Sequence, residues 1–207
     1  LGEYSALVCS GSLDFKDALY LLHERGKAMQ EAVPLGEGGM LAVLGSHVDE
    51  INTFINESKK LGVCEIANDN ADGQIIVSGN INAINNLQKN LKINKKKSIP
   101  LPVSAPFHCS LMKDAATKMK EKINPINFKK LNNEIISNVT ASSEKDPEKI
   151  KKLLVDQIYT KVRWRESILY MSKNGISEFI EIGPGKVLSG LVKRIIKESK
   201  VNSINSI

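Results

Sequence analysis

Aromatic residues are only 5% of the 207 residues, and there are just three cysteines, Cys9, Cys64 and Cys109. The cysteines follow no metal-ligand spacing and pairing two would leave one over, which argues against a disulfide scaffold or zinc module and fits a reducing compartment. Long apolar runs are also lacking. The longest, Met40 to Leu44, falls far short of the ~20 residues that cross a bilayer, so no membrane span is expected. Internal repeats and low-complexity tracts are absent. With 42% apolar and 25% charged residues the chain is neither disordered nor fibrous. Arginine is scarce: 25 of the 29 basic residues are lysines, thinly spread except for Lys95, Lys96 and Lys97, and the net charge is +6. That field favours acidic or phosphorylated partners without specifying one. The chain opens on Leu1 rather than methionine, so residues ahead of it are expected and any targeting signal would lie there.

What is present alternates in period. Phe15, Ala18, Leu19, Leu22, Gly26 and Met29 recur at helical spacing after Ser12, read as the N-cap, and the helix ends before Pro34. A glycine-rich joint at Gly36 to Gly39 follows. From Met40 the pattern reads strand, helix (Val48 to Lys60, with Ser46 and Asp49 as a capping box), strand (Val63 to Ala67), strand (Gln74 to Ser78), helix (Ala83 to Leu91) and strand (Ser98 to Val103). That β-α-β-β-α-β order is the ferredoxin-like signature. From Ser104 onward, helices near 110–123, 148–159, 164–174 and 186–197 alternate with strands at Glu134 to Asn138 and Glu178 to Ile182, while the residues after Lys200 read as frayed. Strands alternating with helices predict a parallel, helix-covered sheet. The fold class expected is α/β: a large lobe from residues 1–35 and 104–207, interrupted by a small ferredoxin-like lobe at 36–103.

Two side chains stand out. His23 lies on a polar helix face and His47 at a helix start, ordinary solvated positions. His108 lies instead in Ser104-Ala105-Pro106-Phe107-His108-Cys109-Ser110, a proline-restricted loop at the lobe boundary where a general base could be held, although a lone histidine beside an apolar neighbour is by default a packed residue. Arg25 shares the stripe of Leu22 and Met29, which ought to face the core, so its guanidinium needs an internal ion pair, a route to the rim, or a ligand carboxylate for its planar fork. Gly183-Pro184-Gly185-Lys186 is not a phosphate loop, because Ile180 stands where the required earlier glycine would be. Cys109 reads as a small buried filler.

Several dispersed motifs carry a resemblance. Leu1-Gly2-Glu3-Tyr4-Ser5-Ala6-Leu7 resembles the continuation of Gly-His-Ser-Leu-Gly-Glu, the nucleophile elbow of the malonyl-CoA:acyl carrier protein transacylases. His23 to Glu31 resembles that family's carboxylate-binding helix, Ala105-Pro106-Phe107-His108 its histidine loop and Asn70 to Gly79 its small-lobe strand. Gln157 to Trp164 resembles its late helix pair, and Glu181 to Leu188 its closing turn. The resemblance spans nearly the whole chain, in the family's order. It implies an α/β-hydrolase-like large lobe and a seryl-ester route from malonyl-CoA to the phosphopantetheine thiol of acyl carrier protein in fatty acid biosynthesis. His108 would be base and then acid, Leu1 N–H an oxyanion donor, and the main-chain carbonyl of Gln157 would orient His108. Arg25, with Met29 and Phe107, would bind the substrate and select malonyl.

By the same resemblance the nucleophilic serine would immediately precede Leu1. The chain as given is then expected to be a C-terminal portion, inactive alone and with an unpaired sheet edge. No cofactor or metal is implied, malonyl-CoA being substrate. The expected partners are malonyl-CoA and acyl carrier protein, with neither nucleic acid nor membrane, and the protein is expected to be a cytoplasmic monomer. Two other readings stay open. One is an acyltransferase unit of a polyketide synthase. The other is a non-catalytic module holding the carrier protein or RNA, the RNA version being disfavoured by the lack of aromatics in Gln74 to Ser78 and Ser98 to Val103.

Overall fold

A computed structural model describes residues 1–205. The chain is mixed α/β. Helices α1 (Gly2–Cys9) and α2 (Phe15–Glu31) come first. Strand β1 (Gly38–Leu44), helix α3 (Val48–Ser58), strands β2 (Cys64–Ala71) and β3 (Gln74–Asn80), helix α4 (Ile81–Ile93) and strand β4 (Lys97–Pro100) follow. Then come α5 (Lys113–Ile123), β5 (Ile135–Ser137), β6 (Ser142–Glu144), α6 (Pro147–Asp156), α7 (Trp164–Lys173), β7 (Glu178–Ile182), α8 (Val187–Ile195) and β8 (Lys200–Ile204).

Strands β2-β3-β1-β4 form one antiparallel sheet in that order, which is the ferredoxin-like arrangement the sequence pattern predicts. β1 explains why its sequence is apolar at every position. Leu41 and Val43 face a core shared with Ile51 and Ile55 of α3 and Leu87 and Leu91 of α4, while Met40 and Ala42 face Ala67, Ile76 and Phe107 on the other side. Gly79 of β3 has no room for a side chain, since a Cβ there would stand 1.9 Å from the Val63 carbonyl oxygen.

A second core joins α1, α2, α5 and α6 through Tyr4, Leu7, Leu21, Met29, Met112, Met119 and Leu154. Phe107 packs against this second core and against the far face of the sheet, joining the two. A further tie lies at the edge strand β2. Val162 N–H donates to the Ala67 carbonyl (2.7 Å) and Asp69 N–H to the Val162 carbonyl (2.9 Å). The buried Asp69 carboxylate also accepts from Arg165 Nε and Nη2 at 2.8 to 3.0 Å. The segment after α6 is thereby held against the sheet.

Several local expectations are corrected. Asp14, not Ser12, is the N-cap of α2, because the buried Ser12 hydroxyl donates to the Lys129 carbonyl (2.8 Å). No capping box forms at α3: His47 is the N-cap, without a side-chain cap, and the Ser46 hydroxyl is buried without a partner. β4 ends at Pro100 rather than Val103. Lys200–Ile204 is not frayed, for it pairs in parallel with β7, while residues 206–207 of that expectation lie outside the described residues. Among the described residues that pair is the only parallel one between strands, since β5 and β6, the latter not foreseen, are antiparallel. Ile180, Ile182 and Ile204 of this pair are exposed, as are Leu1 and Val187. Among the described residues no helix is long and apolar enough to cross a membrane.

Candidate active site

The start of α1, the middle of α2, the loop before α5 and the end of α6 meet around one cleft of about 850 Å³, lined by Leu1, Glu3, Arg25, His108, Gln157 and Trp164 among others. Residues 1, 25, 108 and 157 of the sequence reading therefore share a cavity. Met29 and Phe107 do not line it. Met29, one turn beyond Arg25 on α2, is buried in the core, and Phe107 is half-buried between that core and the far face of the sheet. His23 is exposed, and His47 lies at the surface with Nδ1 2.6 Å from Asp72 Oδ1.

The His108 loop is fixed at several points. His108 adopts a left-handed backbone (φ 60°), costly for a residue with a side chain and sustained only where its surroundings impose it. Pro106 packs so closely on β1 that a Cβ on Gly38 would lie 2.4 Å from the ring. The buried Cys109 thiol donates to the Pro106 carbonyl (3.1 Å). On the far side of the histidine, the Glu65 carboxylate of β2 accepts from Ser110 N–H (2.9 Å) and from the Ser110 hydroxyl (2.7 Å). The sequence pattern did not single out Glu65, whose only signal is a carboxylate within a strand of alternating burial.

The imidazole is held by a main-chain group. His108 Nδ1 lies 3.0 Å from the Gln157 carbonyl oxygen, which can only accept, so Nδ1 carries the proton and Nε2 keeps a free lone pair. Gln157 is the C-cap of α6, where helix carbonyls are left without intrahelical donors, and the helix dipole there favours positive charge on an imidazole. Burial pushes the His108 pKa down to about 4; the bond to Gln157 opposes this and the Arg25 charge adds to it. The imidazole is therefore neutral at pH 7.

Arg25 has no ion pair among the described residues, and its Nε is buried without a hydrogen-bond partner. Burial lowers its pKa, with Tyr4 and Glu3 the ionisable side chains that act on it most. A buried guanidinium donor left open costs free energy that a ligand anion would return. Taken together, the cleft holds a neutral base with a defined tautomer and a cation prepared for an anion, and α1 points its N-terminus into the same space. Such a cleft can take a proton from a neighbouring nucleophile and hold an anionic group beside it.

Comparison with known proteins agrees on one kind of molecule. The family model described as "Acyl transferase domain" matches residues 1–207. The malonyl CoA-acyl carrier protein transacylase of Bacillus subtilis is 44% identical over 207 residues, covering 99% of this chain and 65% of its own length. A crystal structure of the transacylase of that name from Clostridium perfringens superposes with a TM-score of 0.96 at 42% identity, over 100% of this chain and 65% of that one. A type II polyketide-synthase acyl-carrier protein in complex with its malonyl-transacylase matches with a TM-score of 0.95 at 38% identity, over 99% of this chain and 66% of that one. The chain thus spans about two thirds of the length of the curated relatives it matches.

Proposed function

The chain belongs to the acyl transferase domain family, and from that membership we propose that it supplies the base and the carboxylate clamp for moving malonyl from malonyl-CoA to the phosphopantetheine thiol of acyl carrier protein in fatty acid biosynthesis. The observation that carries this reading is the shared cleft of His108 and the unpartnered Arg25. The nucleophile would be a serine joined directly to Leu1, with its hydroxyl at the mouth of α1. His108 Nε2 takes the serine proton as the hydroxyl attacks the thioester carbonyl, and the imidazolium then protonates the CoA thiolate as it leaves. In the second half the carrier thiol gives its proton to Nε2 and attacks the seryl ester, and the serine recovers a proton from the imidazolium. The oxyanion formed in each half is met by the N–H of Leu1 at the helix start, a donor of a kind worth about a hundred- to a thousandfold in rate. The helix-end carbonyl of Gln157 stabilises the imidazolium between the two proton transfers.

Arg25 would grip the free carboxylate of malonyl, which acetyl lacks. Substrate binding also tunes the base: a carboxylate on Arg25 cancels part of the positive charge that depresses His108, raising its basicity when acyl transfer begins. Phe107 would restrict bulk beside the acyl carbon, and Met29 would back the clamp from the core. We infer the two-lobe division at 36–103 from the β-α-β-β-α-β pattern, attraction of an acidic carrier from the net charge of +6, and a cytoplasmic monomer. The test is the chain extended upstream through a Gly-His-Ser segment. Arg25→Ala should lose malonyl transfer at least a hundredfold more than acetyl transfer, and equal losses would reject the clamp.

A further inference from the structure

We propose that Glu3 is a positioning residue for His108, acting through both ends of Gln157. The inference deepens the reading of His108 as the base. The Glu3 carboxylate accepts from Gln157 Nε2 at 2.9 Å, and the main-chain carbonyl of that same residue holds His108 Nδ1 at 3.0 Å. Gln157 is buried, 4% exposed, and its N–H is spent inside α6 on the Leu153 carbonyl. Its side-chain amide is therefore the one handle by which a neighbour outside the helix grips the residue that aims the imidazole.

That handle is held from α1, whose first turn carries Glu3 two residues beyond Leu1. The element proposed to present the nucleophile and the oxyanion donor is thus tied, through one amide, to the element that orients the base. A Ser-His-Asp triad puts a carboxylate directly on Nδ1. Here a neutral carbonyl takes that place and the carboxylate stands one residue further out, where it fixes geometry without placing a full negative charge beside the imidazole. Burial pushes the Glu3 pKa up to about 7; the Asn138 main chain and the Ser137 hydroxyl, which face it without completing hydrogen bonds, and Arg25 pull the other way.

The protein has three histidines, so the long-range proton–nitrogen NMR spectrum of the 207-residue chain reads each imidazole tautomer separately and needs no turnover. At about pH 7.5 wild-type His108 should show the Nδ1–H form alone. Glu3→Ala should convert it to a mixture of tautomers while His23 and His47 are unmoved, and Glu3→Gln, which keeps an acceptor oxygen, should restore the single form. If Glu3→Ala does not fold, Gln157→Met decides, since it keeps the carbonyl and deletes the amide, and it should give the same mixture. A single unshifted His108 tautomer in either folded variant overturns the proposal, as does a Gln variant no better than Ala. A failed malonyl selectivity at Arg25 would sink the clamp and leave this result standing, so the two failures are distinguishable.

Discussion

Replacing Glu3 by Gln, and separately His108 by Gln, should expose a pH dependence of stability that the intact pair conceals. Burial raises the Glu3 carboxyl from 4.5 to about 7, so between those values the folded chain binds protons that the unfolded chain has released. Its stability contribution is present below pH 4.5 and is lost as pH rises toward 7. His108 runs the other way. Its imidazole falls from 6.5 to about 4, so stability is present above 6.5 and is lost as pH drops toward 4. At ~1.36 kcal/mol per tenfold change in proton affinity each contribution reaches about 3 kcal/mol, and the open side of the cleft reduces it to roughly 1.5 to 3 kcal/mol. The opposed slopes nearly cancel across pH 4.5 to 6.5 in the wild-type chain. Arg25 on α2 acts on both groups and Tyr4 on α1 interacts with Glu3, and both stay in one form throughout, Tyr4 being raised to about 12 by burial. The Leu1 amino group, itself lowered by burial, lowers both Glu3 and His108 and is present in all three proteins. Urea unfolding from about pH 4 to 8 should give a stability that rises with pH in Glu3→Gln and falls with pH in His108→Gln, diverging by roughly 3 to 6 kcal/mol over the window. Parallel curves for the three proteins would refute the burial of both groups in one cleft.

Two further substitutions probe the loop that carries His108. Glu65→Ala removes the acceptor for Ser110 N–H and Oγ; it should cost about 1 to 3 kcal/mol in thermal unfolding and, in an extended active chain, lower kcat with little change in KM, whereas unaltered kcat would show that the loop holds itself. Gly38→Ala drives a Cβ to 2.4 Å from Pro106 and should broaden the His108 imidazole signals at unchanged helix content, while unchanged His108 signals would show that the loop relaxes freely.

Side chains that need a partner were legible in the sequence, and the partners themselves were not. A guanidinium on an apolar stripe announces an unmet need wherever α2 packs, and a histidine behind Pro106 announces restraint, so Arg25 and His108 stood out from local pattern. Spacing also yields the β-α-β-β-α-β unit, because both faces of β1 are covered and its apolar run cannot be anything solvated. Gln157 was reached only by resemblance, since the working atom is a main-chain carbonyl that every residue type possesses. Glu3 was passed over for a different reason: an acid in the first turn of a helix is fully accounted for by the helix dipole, and its actual partner lies 154 residues away. The same masking misled the reading of Ser12, whose hydroxyl suits an N-cap but is taken by a carbonyl 117 residues distant, and of Lys200–Ile204, a strand only because β7 lies beside it. Met29 shares its stripe with Arg25, yet the turn of α2 that aims the guanidinium at the cleft puts the thioether in the core. Helical spacing says that two residues share a face; it does not say where along the helix the core gives way to the cavity. Here that boundary falls between residues 25 and 29, and the chemistry depends on it, because at position 25 a cation meets the cleft and at position 29 it would lie in the apolar core.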